Sequence, residues 1–213
     1  MAGDRSTDEN NDPINYRVFS WQRSLGWGDH PESLAPYVPS PQNIVKEMLL
    51  LAETNPEDIL YDLGCGDGRF LISAVEDFDV KQAIGYDLDL YMVDTLQENI
   101  KNKGLENRIK VYCKNVLDVD LSPATVVTLY LTTSGNSKLR PKLESELKLG
   151  SSVVSHDFPM HGWITENEYG APYNIGSHKI FLYKIPNAYR KEIKIDRNLE
   201  DEERWRRDRK SVV

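Results

Sequence analysis

The stretch Asp58–Arg69, DILYDLGCGDGR, decides how the rest of this chain is read. Its first half, DILYDLG, is a short apolar run that ends at a glycine, the pattern of a buried strand entering a tight turn. Its second half spaces Gly64, Gly66 and Gly68 at alternate positions behind Asp62, and from Arg69 to Phe78 the apolar residues Phe70, Leu71, Ala74 and Val75 take up helical spacing. The motif is D-x-G-x-G-x-G. It is not the dinucleotide pattern G-x-G-x-x-G, because Arg69 stands where the third glycine would be.

Outward from this unit the alternation of strand and helix continues. Upstream, Ser40 suits an N-cap and Pro41 a first helical residue, with Ile44, Val45, Met48, Leu49 and Ala52 as an apolar face. Downstream, Ala83, Ile84 and Tyr86 form a second strand, and Asp89 to Lys103 a helix stopped by Gly104. IKVYCKN, TVVTLYL and SSVVSHDF supply a third, fourth and fifth strand, with a helix over SKLRPKLESEL between the last two. The stretch HGWITENEYGAPYNIGSHKIFLYKI then lacks helical spacing and ends in a strand, which fits a closing antiparallel hairpin. Repeated units of this size predict right-handed crossovers and an α/β fold, a doubly wound, mostly parallel, Rossmann-like sheet with ligands at the strand C-termini.

The 213 residues allow one substantial domain with additions. Residues 1–12 are polar and aperiodic and read as disordered; residues 13–35 form an arm rich in aromatics, with Tyr16, Phe19, Trp21 and Trp27. The arm either docks on the domain surface or acts as a lid. Residues 36–186 form the domain, and residues 187–213 a charged tail, either a solvated extension or a contact for an acidic partner through RWRRDRK. The formal charge of −8 divides as −3 in residues 1–12, +2 in residues 187–213 and −7 between them. A middle stretch this acidic argues against a protein held on nucleic acid by its bulk field. Cys65 and Cys113 are too few for a disulfide framework and read as reduced thiols. No apolar run approaches the roughly 20 residues that span a bilayer, and the N-terminus lacks an apolar signal core, so the expectation is a cytoplasmic protein with no membrane partner.

The glycine turn permits close backbone approach, and the helix N-terminus after it offers unpaired N–H groups to a carboxylate. An aspartate in such a turn repels a pyrophosphate and welcomes an ammonium group. A ligand with both ends of an amino acid is therefore favoured, and S-adenosylmethionine has them. Nineteen residues after Gly68, Asp87 closes the second strand, where a carboxylate can accept from both ribose hydroxyls. Asn115 at the end of the third strand either bonds an adenine edge or forms a turn.

On these residues the sequence resembles the class I S-adenosylmethionine-dependent methyltransferases, with their seven-stranded sheet. Within them it resembles the archaeal protein lysine methyltransferases of broad specificity, over about Pro36 to Ile185. LYDLGCGDGR marks the superfamily, while PYVPSP, ATVVTLYL and VVSHDF mark the subgroup. The resemblance implies methyl transfer to lysine side-chain amines of proteins. It also implies a cofactor site built from Tyr37, Val38, Pro39 and Ser40 in PYVPSP, together with Asp62, Gly64, Gly66, Asp67, Gly68, Asp87 and Asn115. Ser40 and Asp87 replace the threonine and glutamate usual in the family and keep the hydroxyl and the carboxylate.

A sulfonium already carries a good leaving group, so the protein's task is to present a neutral amine in line with the methyl group. Tyr130, with Thr132 and Thr133, is expected to border that methyl; it either packs along the lysine stem or belongs to the core. His156 and Asp157 either take the released proton and orient the target, or satisfy one another. Phe158 and Trp163 either wall a substrate channel or fill the core. LYLTT lacks the [DN]-P-P-[YF] text of enzymes that methylate amino groups on adenine or glutamine, and no Pro-Cys nucleophile is present. No His, Cys or carboxylate spacing suggests a metal site, and His30, His161 and His178 read as ordinary polar residues. Two other classes stay open: a small-molecule or RNA methyltransferase, and a non-catalytic adenosylmethionine-binding module.

Overall fold

The computed structural model describes residues 32–167 and 171–189. The N-terminal stretch expected to be disordered, the aromatic residues of the arm and the tail beyond Tyr189 lie outside them. The described chain runs α1 (Gln42–Leu51), β1 (Ile59–Leu63), α2 (Arg69–Glu76), β2 (Gln82–Asp87), α3 (Leu90–Asn102), β3 (Ile109–Cys113), β4 (Val126–Leu129), α4 (Thr133–Glu146), β5 (Ser152–His156), β6 (Tyr173–Ile175) and β7 (His178–Lys184), with short 3-10 turns at Val116–Asp118 and Asn187–Tyr189. The seven strands form one sheet in the order β3-β2-β1-β4-β5-β7-β6. β1 to β5 are parallel, and β7 pairs antiparallel with both β5 and β6. The strand order reverses between β1 and β4, and a crevice at that switch point is where open α/β sheets hold ligands.

Two apolar layers sandwich the sheet because alternate strand residues point to opposite faces. Leu60, Ala83, Val126, Val154 and Leu182 face the side covered by α1, α2 and α3. Tyr61, Val127, Leu129, Val153 and Tyr183 face the side covered by α4 and the 3-10 turns. The pairs Leu60↔Val126 and Tyr61↔Val127 show how register puts like faces together where β1 meets β4.

Of the element boundaries that differ from the sequence expectation, two bear on the site. Pro41, not Ser40, occupies the N-cap position of α1, with no side-chain cap. The Ser40 hydroxyl turns instead to Nδ1 of His156, 2.8 Å away, a partner 116 positions distant that local spacing cannot reveal. α4 starts at Thr133, a turn earlier than the apolar spacing suggests, because Thr132 caps it by accepting from the Gly135 N–H at 3.1 Å. The Thr132 hydroxyl also donates to the Leu34 carbonyl at 2.7 Å. That carbonyl lies where a Cβ on Gly135 would sit, only 2.5 Å away, so Gly135 lets the segment before α1 cross the start of α4.

Candidate active site

A cavity of about 610 Å³ opens at the C-terminal ends of β1, β2 and β4, within the size range of small-ligand sites. Its walls come from residues 33–40, the glycine turn, the β2 end through Met92, residues 114–116, and Tyr130 with Leu131. Tyr37, Val38, Pro39 and Ser40 all reach it, as do Asp62, Gly64, Gly66, Asp67, Asp87 and Asn115.

The turn is shaped by glycines where other residues would be strained. Gly66 has φ +51° and lies under the Tyr37 ring, which a Cβ would meet at 2.5 Å. Gly68 has φ +78° and sits against Leu96, so it forms the N-terminal turn of α2 behind the cavity rather than its wall. Asp67, between them, is held by the Arg69 guanidinium, which also donates to the Ser40 carbonyl. The Tyr37 hydroxyl donates to the same carboxylate at 3.1 Å. Asp67 and Arg69 thus fasten residues 37–40 over the turn. Spacing alone does not mark Arg69 as a site residue, because its ring of partners assembles only in three dimensions.

Of the other carboxylates on the wall, Asp62 and Asp87 stand at the ends of β1 and β2, beside the glycine turn. Asp62, at the end of β1, is buried and accepts from Thr128 Oγ1 at 2.7 Å. Burial pushes its pKa up to about 8, with the charges of Asp87 and Asp67 adding to the effect and the Thr128 bond opposing it. A buried carboxylate with one protein donor gains most from a cationic partner such as an ammonium group. Asp87 accepts from the Gly66 N–H at 2.8 Å and the Asp89 N–H at 3.0 Å, which leaves lone pairs on both oxygens. Its pKa is raised by burial, against the pull of those backbone donors. Asn115 reaches the wall, yet Oδ1 caps the turn at Leu117 and Nδ2 donates to Glu32 at 3.2 Å; one amide hydrogen is left. Cys65 also reaches the wall as a buried thiol whose pKa burial pushes well up, so it is no nucleophile.

At the β4 edge, the structure brings only part of the expected set to the cavity. Tyr130 lies on the wall, and its hydroxyl donates to Asp157 Oδ2 at 3.3 Å. Burial, and then the Asp157 charge, raise its pKa, so it stays a phenol. Asp157 stands behind it, off the wall, with φ +57°, and its Oδ1 accepts from the Lys179 N–H at 2.8 Å. His156 is fully buried, 4.0 Å from Tyr130 between ring centroids, and likewise off the wall. Burial lowers its pKa to about 4, against the pull of Asp157, so it is neutral and not a base open to the cavity. Phe158 is half-buried, 6.3 Å from Tyr130 and outside the wall.

Three expectations need correction here. Thr132 caps α4 and is not among the residues of the cavity wall. Trp163 is a core residue: it meets Tyr183 and Tyr189 edge-on at 5.3 and 5.2 Å and donates to Glu144 at 2.8 Å. His178 is no ordinary polar residue. Its Nδ1 lies 2.9 Å from His156 Nε2 and 3.3 Å from Asp157 Oδ2, so three groups that can ligate a metal converge within 4.8 Å. Sequence spacing hid this cluster because β7 enters it from a different part of the chain.

The described residues contain no helix long and apolar enough to cross a membrane. Residues 62–167 match the family model of the ANTKMT methyltransferase domain. A protein-lysine N-methyltransferase of Saccharolobus islandicus is 43% identical over 150 residues, covering 70% of this chain and 93% of the relative. The adenine nucleotide translocase lysine N-methyltransferase of Mus musculus is 30% identical over 128 residues, 60% of this chain and 55% of the relative. Among solved structures, a Salinibacter ruber protein described as an RNA methyltransferase in complex with S-adenosyl-L-homocysteine aligns with a TM-score of 0.66 and 37% identity, over 70% of this chain and 94% of that one.

Proposed function

The chain belongs to the S-adenosylmethionine-dependent protein-lysine N-methyltransferases of class I, and on that premise we propose that it methylates the side-chain amines of lysines exposed on proteins, with Tyr130 receiving the target amine. The cavity fits the cofactor. Asp62 would hold its ammonium group, the glycine turn and the start of α2 its carboxylate, and Asp87 its ribose hydroxyls. When bound, S-adenosylmethionine supplies an electrophilic methyl on a sulfonium.

The observation that carries the reading is Tyr130. Its O–H is committed to Asp157, so the oxygen presents lone pairs to the cavity and accepts an N–H from an incoming amine. The ring offers an apolar wall to the lysine stem, and partial desolvation beside it disfavours the charged amine. Residues 37–40, fastened through Asp67 and Arg69, shield the site from water.

The net charge of −8 favours lysine-rich protein surfaces over phosphate backbones, and the two free thiols suit an enzyme of the cytoplasm. An RNA substrate is the second reading, prompted by the description of the Salinibacter structure. Incubation with methyl-labelled cofactor and cell extract, followed by separate protease and ribonuclease digestion, separates them. Label recovered as methylated lysine supports the proposal, and label lost to ribonuclease overturns it. Tyr130→Phe should lower turnover with little change in cofactor affinity; undiminished turnover removes the hydroxyl from the mechanism.

A further inference from the structure

A continuous path of polar contacts leaves the cavity at Tyr130 and ends at a partly exposed histidine. Tyr130 Oη donates to Asp157 Oδ2 at 3.3 Å, and the same oxygen lies 3.3 Å from Nδ1 of His178, whose side chain is 29% exposed. His156 Nε2 sits 2.9 Å from that Nδ1 and 3.4 Å from Asp157 Oδ2, and its other nitrogen is held by Ser40. The groups that face Asp157 are therefore Tyr130 at the β4 end, His156 beside it on β5, and His178 with the Lys179 backbone from β7. A non-glycine residue at φ +57° costs some backbone strain, which these contacts hold in place.

We propose that His178 is the proton outlet of methyl transfer, and that Tyr130 and Asp157 carry to it the proton that the substrate ammonium must lose. This rests on the reading that Tyr130 receives the amine. Each step breaks one bond to hydrogen and forms another. The substrate N–H proton passes to Tyr130 Oη as the phenol proton passes to Asp157 Oδ2. Asp157 then delivers its proton to His178 Nδ1, and the imidazolium releases one to water. With Ser40 donating to Nδ1, His156 carries its proton on Nε2, and it can donate either to His178 or to Asp157; the distances of 2.9 and 3.4 Å allow both. When it donates to Asp157, His178 Nδ1 is left free to accept the proton; when it donates to His178, that lone pair is occupied, so the relay runs through the first arrangement. Ser40 and His156 are positioning residues, and His178 acts through Asp157 and Tyr130.

The tests are His178→Ala and Asp157→Asn. Asparagine tolerates positive φ and keeps an acceptor for the Lys179 N–H, yet it cannot carry the proton. At pH 7 and saturating substrates both variants should lose about 100-fold in kcat, the low end of what a proton-transfer group contributes. The deficit should shrink as pH rises and more amine is already neutral. KM for S-adenosylmethionine and the melting temperature should stay near the parent values, and added imidazole should partly restore His178→Ala but not Asp157→Asn. A readout independent of turnover is the Tyr130 phenol, whose titration should move down in Asp157→Asn as the neighbouring charge is removed. A parent-like kcat and pH profile in His178→Ala overturns the outlet. So does a stoichiometric bound transition metal in the purified enzyme, because the histidines would then be ligands. If Tyr130→Phe is impaired while His178→Ala is normal, only the outlet fails; if Tyr130→Phe is normal, the reading beneath it fails.

Discussion

Replacement of Asp87 by alanine tests the cofactor site most directly. Its carboxylate is fixed by two backbone donors, the N–H groups of Gly66 at 2.8 Å and Asp89 at 3.0 Å, and it faces the cavity at the C-terminal end of β2. A hydrogen bond from a neutral donor to a charged acceptor contributes about 1.5–3 kcal/mol. Two ribose hydroxyls donating to Asp87 therefore contribute at least about 3 kcal/mol, which is at least about 100-fold in Kd at roughly 1.4 kcal/mol per decade. Titration calorimetry with S-adenosylhomocysteine should show that loss for Asp87→Ala. Asp87→Asn, which keeps one acceptor oxygen but turns an amide donor toward an N–H, should fall between. Asp87→Glu should stay within about 10-fold of the parent, since it keeps the charged acceptor. A second ligand localises the effect: an analogue without the ribose 2′-hydroxyl should be penalised less by the same mutation. Equal losses for both ligands, or a Kd for Asp87→Ala within threefold of the parent, would refute the assignment. Thermal melts accompany the titration, because the substitution also removes the acceptor that holds Gly66 in its turn.

Other outcomes follow from the same geometry. With the Asp62 pKa near 8, cofactor binding that needs the carboxylate should tighten as pH rises from 6 to 8, by up to about 10-fold per unit, and Asp62→Asn should flatten the slope; a flat parent profile counts against an ammonium partner for Asp62. Trp163→Ala should destabilise the fold by about 3–5 kcal/mol, as for other buried aromatics, while turnover per folded molecule is retained; loss of turnover without loss of stability would return Trp163 to the substrate path. Gly66→Ala sets a Cβ 2.5 Å from the Tyr37 ring at positive φ, so it should weaken cofactor binding more than it lowers the melting temperature; a purely thermal effect would mean that Tyr37 does not cover the ligand. If the −8 charge steers basic substrates, kcat/KM on a lysine-rich protein should fall between low and high salt while cofactor affinity changes little; a salt-independent rate leaves the charge with solubility alone.

The sequence by itself determined the order of elements, the parallel sheet with its antiparallel closure, and the cofactor end of the site. These were legible because their information is local. A strand, a glycine turn and a helix lie within Asp58–Arg69, and Asp87 ends the next strand, so Asp62, Gly64, Gly66 and Asp87 all reach one cavity. The acceptor end was decided only in three dimensions. Whether Thr132 lines a channel or caps a helix depends on where α4 begins, and that start is set by a cap and by Leu34 arriving from the other side of the sequence. Trp163 is drawn into the core by Tyr183 and Tyr189, which spacing alone does not place beside it. His178 joins Asp157 because β7 runs antiparallel to β5, with Ile180 opposite His156. A strand's own residues say which of them share a face, but only pairing across the sheet says what stands opposite, and that pairing brings a histidine 21 positions away to the aspartate behind Tyr130.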